Sequence, residues 1–184
     1  MVTFKNKLNP ATVIRVLNDN NPFLVNLLKT DNLKRFYYEL VGLQLNEAVI
    51  GQFTQFFYEN GIDVINELDG VCPHGCFAFT NVEKIPDNIK SIIGPMAFYS
   101  CPHLTEVIIP DGVTEIGNSA FRCCGNLRKV VIPKSVTEIG KYAFAVCYDL
   151  EEVTLPEKFR RDTKDNFTVS HIFNYANKIN FTFI

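Results

Sequence analysis

The chain has 184 residues, of which 47% are hydrophobic and 21% charged, with a formal charge of −2. That composition supplies enough apolar material to bury a core in one domain or two small ones. The acidic balance, with no stretch dense in Lys and Arg, argues against a nucleic-acid partner. No segment approaches the length of a membrane span, and the first residues lack an apolar run long enough for a secretory leader. The expectation is a cytoplasmic protein with no membrane partner.

Residues 1–70 read as a small helical domain. Asn9-Pro10 and Asn21-Pro22 each place an N-cap residue before a proline suited to the first helical position. Asp31 caps a segment whose Leu33, Phe36, Tyr37 and Leu40 fall on one helical face. Asn46 caps another, with Val49, Phe53, Phe56 and Phe57 as its stripe. Asn60-Gly61 stops that helix, and "IDVINEL" forms a last short helix or strand. Seventy residues are marginal for an independent core, so this segment is expected to cap the C-terminal part of the chain.

The next feature is "CPHGC", which brings Cys72, His74 and Cys76 close together, with His103 further on in "CPH". Cys and His at short spacing bind zinc, so these four residues carry an alternative, metal-binding reading. Their spacing is not one of the common finger patterns, and the preferred reading has no metal and no cofactor. No nucleophile–base pair, phosphate loop or paired acid with split environments is present, so no enzymatic activity is expected.

From there to the C-terminus the sequence repeats itself. Leu104, Leu127 and Leu150 are spaced by 23 residues. Pro110, Pro133 and Pro156 keep that step, as do Cys101, Cys124 and Cys147. Phe98, Phe121 and Phe144 keep it too, each preceded by alanine (Ala97, Ala120, Ala143). Such phase is the mark of a stacked repeat, whose unit is stable only between neighbours. Within one unit, Leu104, Val107 and Ile109 point inward, and Pro110 ends the strand. Asp111-Gly112 turns the chain, and Val113 and Ile116 point inward from a second short extended piece. Gly117 frees the backbone for a corner, and Ala120-Phe121 fills the interior. The three cysteines are read as a buried column of small apolar side chains, with Cys76 nearly in phase one coil earlier. Worn copies flank these units. Upstream, "VEKIPDNIKSIIGPMAFYSC" fits with one inserted residue. Downstream, Phe173 takes the Phe place, Ala176 the Cys place and Ile179 the Leu place. Seventeen residues separate Pro156 from Phe173, against eleven from Pro133 to Phe144.

The anchors "LTEVIIP", "VTEIG", "AF" and the following cysteine resemble the BspA-like class of leucine-rich repeats over roughly residues 76–184. The resemblance implies a right-handed solenoid with a parallel β-sheet, and mostly non-enzymatic recognition modules, often at cell surfaces. The fold class is therefore α+β. A helical domain at 1–70 precedes a solenoid at 71–184 with about four coils and a degenerate C-terminal one.

The outward residues of the main strands then define the candidate site. Glu106, Lys129 and Glu152 form one row, Thr105, Arg128 and Glu151 a second, and Ile108, Val131 and Thr154 a third. Alternating charges satisfy one another across neighbouring strands, whereas two stacked apolar residues rimmed by charge mark a contact patch. The expected function is an inhibitor, adaptor or scaffold that holds a protein partner on these rows. The alternatives are the zinc protein above and a cell-surface adhesin. Glu115 and Glu138 read as a solvated acidic edge, and the last strand offers an edge on which a second copy would form a homodimer.

Overall fold

The structure, a computed structural model, describes residues 65–66, 69–163, 171–176 and 179–184, without the side chains of 161–163. The helices expected before Ile65 lie outside the described residues. Ile65 and Asn66 are helical, and Ile65 is fully buried in the main core of the following coils. The Gly70 amide donates to the Ile65 carbonyl at 2.9 Å, and Asn88 Nδ2 donates to Asn66 Oδ1 at 3.0 Å.

Among the described residues eight short strands follow: β1 (Val71–Cys72), β2 (Ile92–Ile93), β3 (Glu106–Ile108), β4 (Glu115–Ile116), β5 (Lys129–Val131), β6 (Glu138–Ile139), β7 (Glu152–Leu155) and β8 (Asn180–Phe183). They form two parallel sheets, β1-β2-β4-β6 and β3-β5-β7-β8. From β2 to β7 the strands of the two sheets alternate along the chain, because each of these coils contributes one to each sheet, while β1 and β8 extend one sheet each at the two ends. The repeat length sets the register, so Val107 meets Val130 and Val130 meets Val153. The second extended piece of each repeat is thus a full sheet wall, beyond the single parallel sheet that the resemblance implies. A 3-10 helix at Glu157–Thr163 opens the longer connection between β7 and β8.

A third wall is built without strands. Between Gly94 and Cys101, and at the same places in later coils, the chain turns while its amides pair with the coil beyond. Met96 N donates to Asn118 O at 2.9 Å, Phe98 N to Ala120 O at 2.7 Å and Ser100 N to Arg122 O at 2.8 Å. One coil on, Ser119, Phe121 and Cys123 repeat this with Lys141, Ala143 and Ala145. The first and last residue of each trio has positive φ: Met96 (52°), Ser100 (55°), Ser119 (55°), Cys123 (64°), Tyr142 (60°) and Val146 (61°). Non-glycine residues in the left-handed region cost energy. Here the conformation aims successive amides across the coil gap, and each makes its hydrogen bond.

Inside the three walls, side chains stack in columns. Leu104, Val107, Val113, Ile116, Leu127, Val130 and Val136 are all fully buried, as their inward assignment requires. Phe77, Phe98, Phe121, Phe144 and Phe173 stack face to face, with centroids 5.2, 5.1, 5.0 and 5.4 Å apart. The coil spacing of about 4.8 Å imposes that separation. Phe173 thus occupies the place expected for it. The Gly117 corner has a different cause from the one expected. Its φ is not positive, but a Cβ there would lie 2.5 Å from Pro95 N and 2.7 Å from Gly94 C. Only hydrogen fits between successive coils at that point.

Candidate functional site

The cysteine column is polar as well as buried. Cys101 Sγ donates to Phe77 O at 3.1 Å, Cys124 Sγ to Phe98 O at 3.1 Å and Cys147 Sγ to Phe121 O at 3.2 Å. Each thiol thereby ties its coil to the preceding one, a role the reading of the column as apolar filler did not include. The column begins at Thr80, whose Oγ1 donates to Phe77 O at 2.6 Å. Cys76 instead precedes Phe77 and sits in the alanine row, so its near-phase with the column is corrected by one column. Burial pushes the Cys147 thiol up to about 12. Cys124 is raised by its hydrogen bond with Cys101 and by burial, while the same contact lowers Cys101, so the two adjacent thiols do not both ionise. Burial, and next the hydrogen bond with Cys72, also raise Cys76. All six cysteines are free thiols.

Cys72 and Cys76 are fully buried and His74 nearly so, whereas His103 is exposed. Among the described residues no group of three or more His, Cys, Asp or Glu side chains is arranged to hold a metal ion. Among the same residues no helix is long and apolar enough to cross a membrane.

On the β3-β5-β7-β8 sheet, Glu106 pairs in register with Lys129 and Lys129 with Glu152. Lys129 Nζ lies 2.7 Å from Glu106 Oε1, and that hydrogen bond raises the lysine pKa. Both side chains remain almost half exposed. The neighbouring row is aligned by backbone bonds, Arg128 N to Thr105 O at 2.8 Å and Glu151 N to Arg128 O at 3.0 Å. Its side chains differ from the expected ladder, because Arg128 and Glu151 make no ion pair among the described residues. The third row runs Ile108, Val131, Thr154 and then Thr182. Ile108 is 56% exposed, and Val131 and Thr154 are partly exposed. Six of the nine candidate residues therefore lie in strands of one sheet, and Thr105, Arg128 and Glu151 each directly precede one of those strands. On the other sheet, Glu115 and Glu138 stand in register as exposed neighbours.

Sequence reasoning missed a second feature, on the turn wall. Arg122, Tyr142, Ala145, Val146, Asn174 and Tyr175 line an open cavity of about 360 Å³. Arg122, Ala145 and Asn174 each directly follow a column Phe, so the repeat phase already placed them side by side. The signal was overlooked because their types vary from coil to coil. Arg122 Nε is shielded from solvent and has no hydrogen-bond acceptor among the described residues. A buried donor left in that state costs about 1–3 kcal/mol. The guanidinium carbon lies 6.0 Å from the centre of the Tyr142 ring, the outer limit of a cation–π contact.

Residues 71–184 match, in six copies, the family described as the BspA type leucine rich repeat region. No curated protein matches the chain. Among solved structures, it is similar to a leucine-rich repeat protein of T. pallidum, with 28% identity, coverage of 53% of this chain and 47% of that one, and a TM-score of 0.36. It is also similar to the pneumococcal vaccine antigen PcpA, with 16% identity, 47% and 27% coverage and a TM-score of 0.34. A leucine-rich repeat protein from Bacteroides ovatus gives 19% identity, 58% and 43% coverage and a TM-score of 0.27. The chain spans less than half the length of each of these proteins.

Proposed function

The chain belongs to the BspA-type leucine-rich repeat family, and from that premise we propose that it is a non-enzymatic interaction module that holds a protein partner on the β3-β5-β7-β8 sheet. The observation that carries this reading is the in-register pair of exposed Ile108 and partly exposed Val131, on the same strands as the charged pair Glu106 and Lys129. Apolar residues at the centre of a patch and charges at its rim are the usual anatomy of a protein interface. The stacked coils hold these side chains on a fixed surface, so little ordering entropy is lost on binding. Glu106 and Lys129 satisfy each other and contribute register more than affinity. Binding of this kind is stoichiometric, as for an inhibitor, adaptor or scaffold, and serves a partner met inside the cell or at its surface.

Affinity capture from the source cell's lysate tests the reading, with wild type compared against an Ile108→Arg/Val131→Arg double variant of matched melting profile. A partner held by wild type and lost by the variant supports the sheet face. A partner held equally by both removes it.

A further inference from the structure

We infer that the cavity on the turn wall is a receptor for one carboxylate carried on a peptide side chain. This inference is independent of the sheet-face reading, because it uses a different wall and no shared residue. Its basis is a charge without a counterpart among the described residues. Of these, the cavity lining contains one cation, Arg122, and no anion. The guanidinium makes no ion pair among the described residues, and its Nε is desolvated without an acceptor. The Tyr142 ring reaches it only at 6.0 Å. A planar guanidinium matches a carboxylate with two parallel hydrogen bonds, and that pairing gives the idle donor its acceptor.

The rest of the lining narrows the ligand. Ala145 and Val146 supply apolar lining, and Asn174, Tyr142 and Tyr175 are the further residues that line the cavity. Tyr175 is 69% exposed and stands at the rim, where a ring meets a passing chain. A volume of about 360 Å³ is at the low end of the ~300–1,000 Å³ typical of small-ligand pockets. The cavity is also open to solvent, which suits a side chain reaching in from an extended peptide. A single cation suits a monoanion better than a phosphate dianion, which usually draws several cationic groups. Tyr142, Val146 and Tyr175 have positive φ, as do their counterparts in other coils, so the repeat itself sets the positions of these walls.

The test uses the full chain, labelled with ¹⁵N, and three probes: acetyl-Ala-Glu-Tyr-Ala-amide, the same peptide with Gln for Glu, and inorganic phosphate. The Glu peptide is expected to shift the Arg122 Nε–H resonance and the amides of Ala145, Val146 and Asn174 saturably. The Gln peptide should bind about tenfold more weakly, because it lacks the charge-assisted pair. Arg122→Gln should erase the difference between the peptides. Tyr175→Ala, at an exposed position that leaves the fold intact, should weaken the Glu peptide several-fold. Equal affinity for the two peptides would overturn the inference. So would shifts confined to other walls, or no shift of these resonances up to about 10 mM peptide, the regime of a contact with no specific affinity. Phosphate acting on the same resonances at lower concentration than the Glu peptide would overturn the carboxylate assignment.

Discussion

Replacing Phe121 by alanine removes the middle ring of the column. Phe121 is fully buried, with Phe98 at 5.1 Å and 4° on one side and Phe144 at 5.0 Å and 3° on the other. Emptying a core phenylalanine site costs about 3–5 kcal/mol, and each lost ring pair adds about 0.5–1.5 kcal/mol beyond area burial. The surrounding wall cannot collapse into the gap, because hydrogen bonds on all three sides hold the coil spacing. The expected loss is therefore at the upper end, about 4–5 kcal/mol. At a urea m-value of about 2 kcal/mol per molar, the midpoint falls by about 2 M. Phe173 makes a fitting comparison, since among the described residues it stacks on Phe144 alone and meets Phe181 edge-on. Phe173→Ala should cost about 3 kcal/mol, the low end for such a site. Urea melts followed by circular dichroism measure both. A loss below about 1 kcal/mol at Phe121, or a larger loss at Phe173, would refute the column as the chief source of cohesion between coils.

Two glycines separate close approach from mere flexibility. Gly117→Ala should destabilise by about 2–3 kcal/mol, since its new methyl meets the backbone of Gly94 and Pro95. Gly125→Ala, with nothing within 4 Å, should stay within about 0.5 kcal/mol of wild type in the same melt. The thiols give a pH dependence. Native Cys147 holds its proton to about 12, against an ordinary value of 9.0 in the unfolded chain. Between these values the folded state binds more protons, so stability is full below about pH 9 and falls as pH rises toward 12. Each such thiol contributes a slope of about 1.4 kcal/mol per pH unit, and flat urea midpoints from about pH 8.5 to 10.5 would contradict the buried column. A thiol reagent at neutral pH should label Cys123, the one partly exposed cysteine, far faster than the other five, which react on denaturation. Glu106→Ala should leave the urea midpoint unchanged within error, because its ion pair with Lys129 is open to solvent.

The repeat phase made much of the solenoid legible, because each coil must present the same side chains to the same neighbours. It placed Leu104, Val107, Phe121 and Val130 inside and Ile108, Arg128 and Lys129 outside. The turn wall was not legible. Its left-handed positions are occupied by Met96, Ser119, Tyr142 and Val146, none of which signals positive φ, and Val146 is β-branched. Inter-coil hydrogen bonds decide that conformation, and propensity does not report them. The first coil was misphased by one residue type, since the serial match of Cys76 to later cysteines hid Thr80, whose hydroxyl donates to the Phe77 carbonyl of its own coil. The Arg122 cavity escaped because it depends on the residue after each Phe, which the repeat leaves free to vary. The repeat phase also carries the register of the outward rows, but that Arg128 and Glu151 make no ion pair among the described residues depends on side-chain geometry that the sequence does not carry.

Hydrogen exchange followed by mass spectrometry, on the chain alone and bound to its captured partner, tests the central proposal most directly. A partner on the proposed sheet adds protection in peptides containing β3, β5 and β7, centred on Ile108 and Val131, and leaves the β2, β4 and β6 wall unchanged. Protection confined to the β2, β4 and β6 wall, with β3, β5 and β7 exchanging as in the free chain, would contradict it.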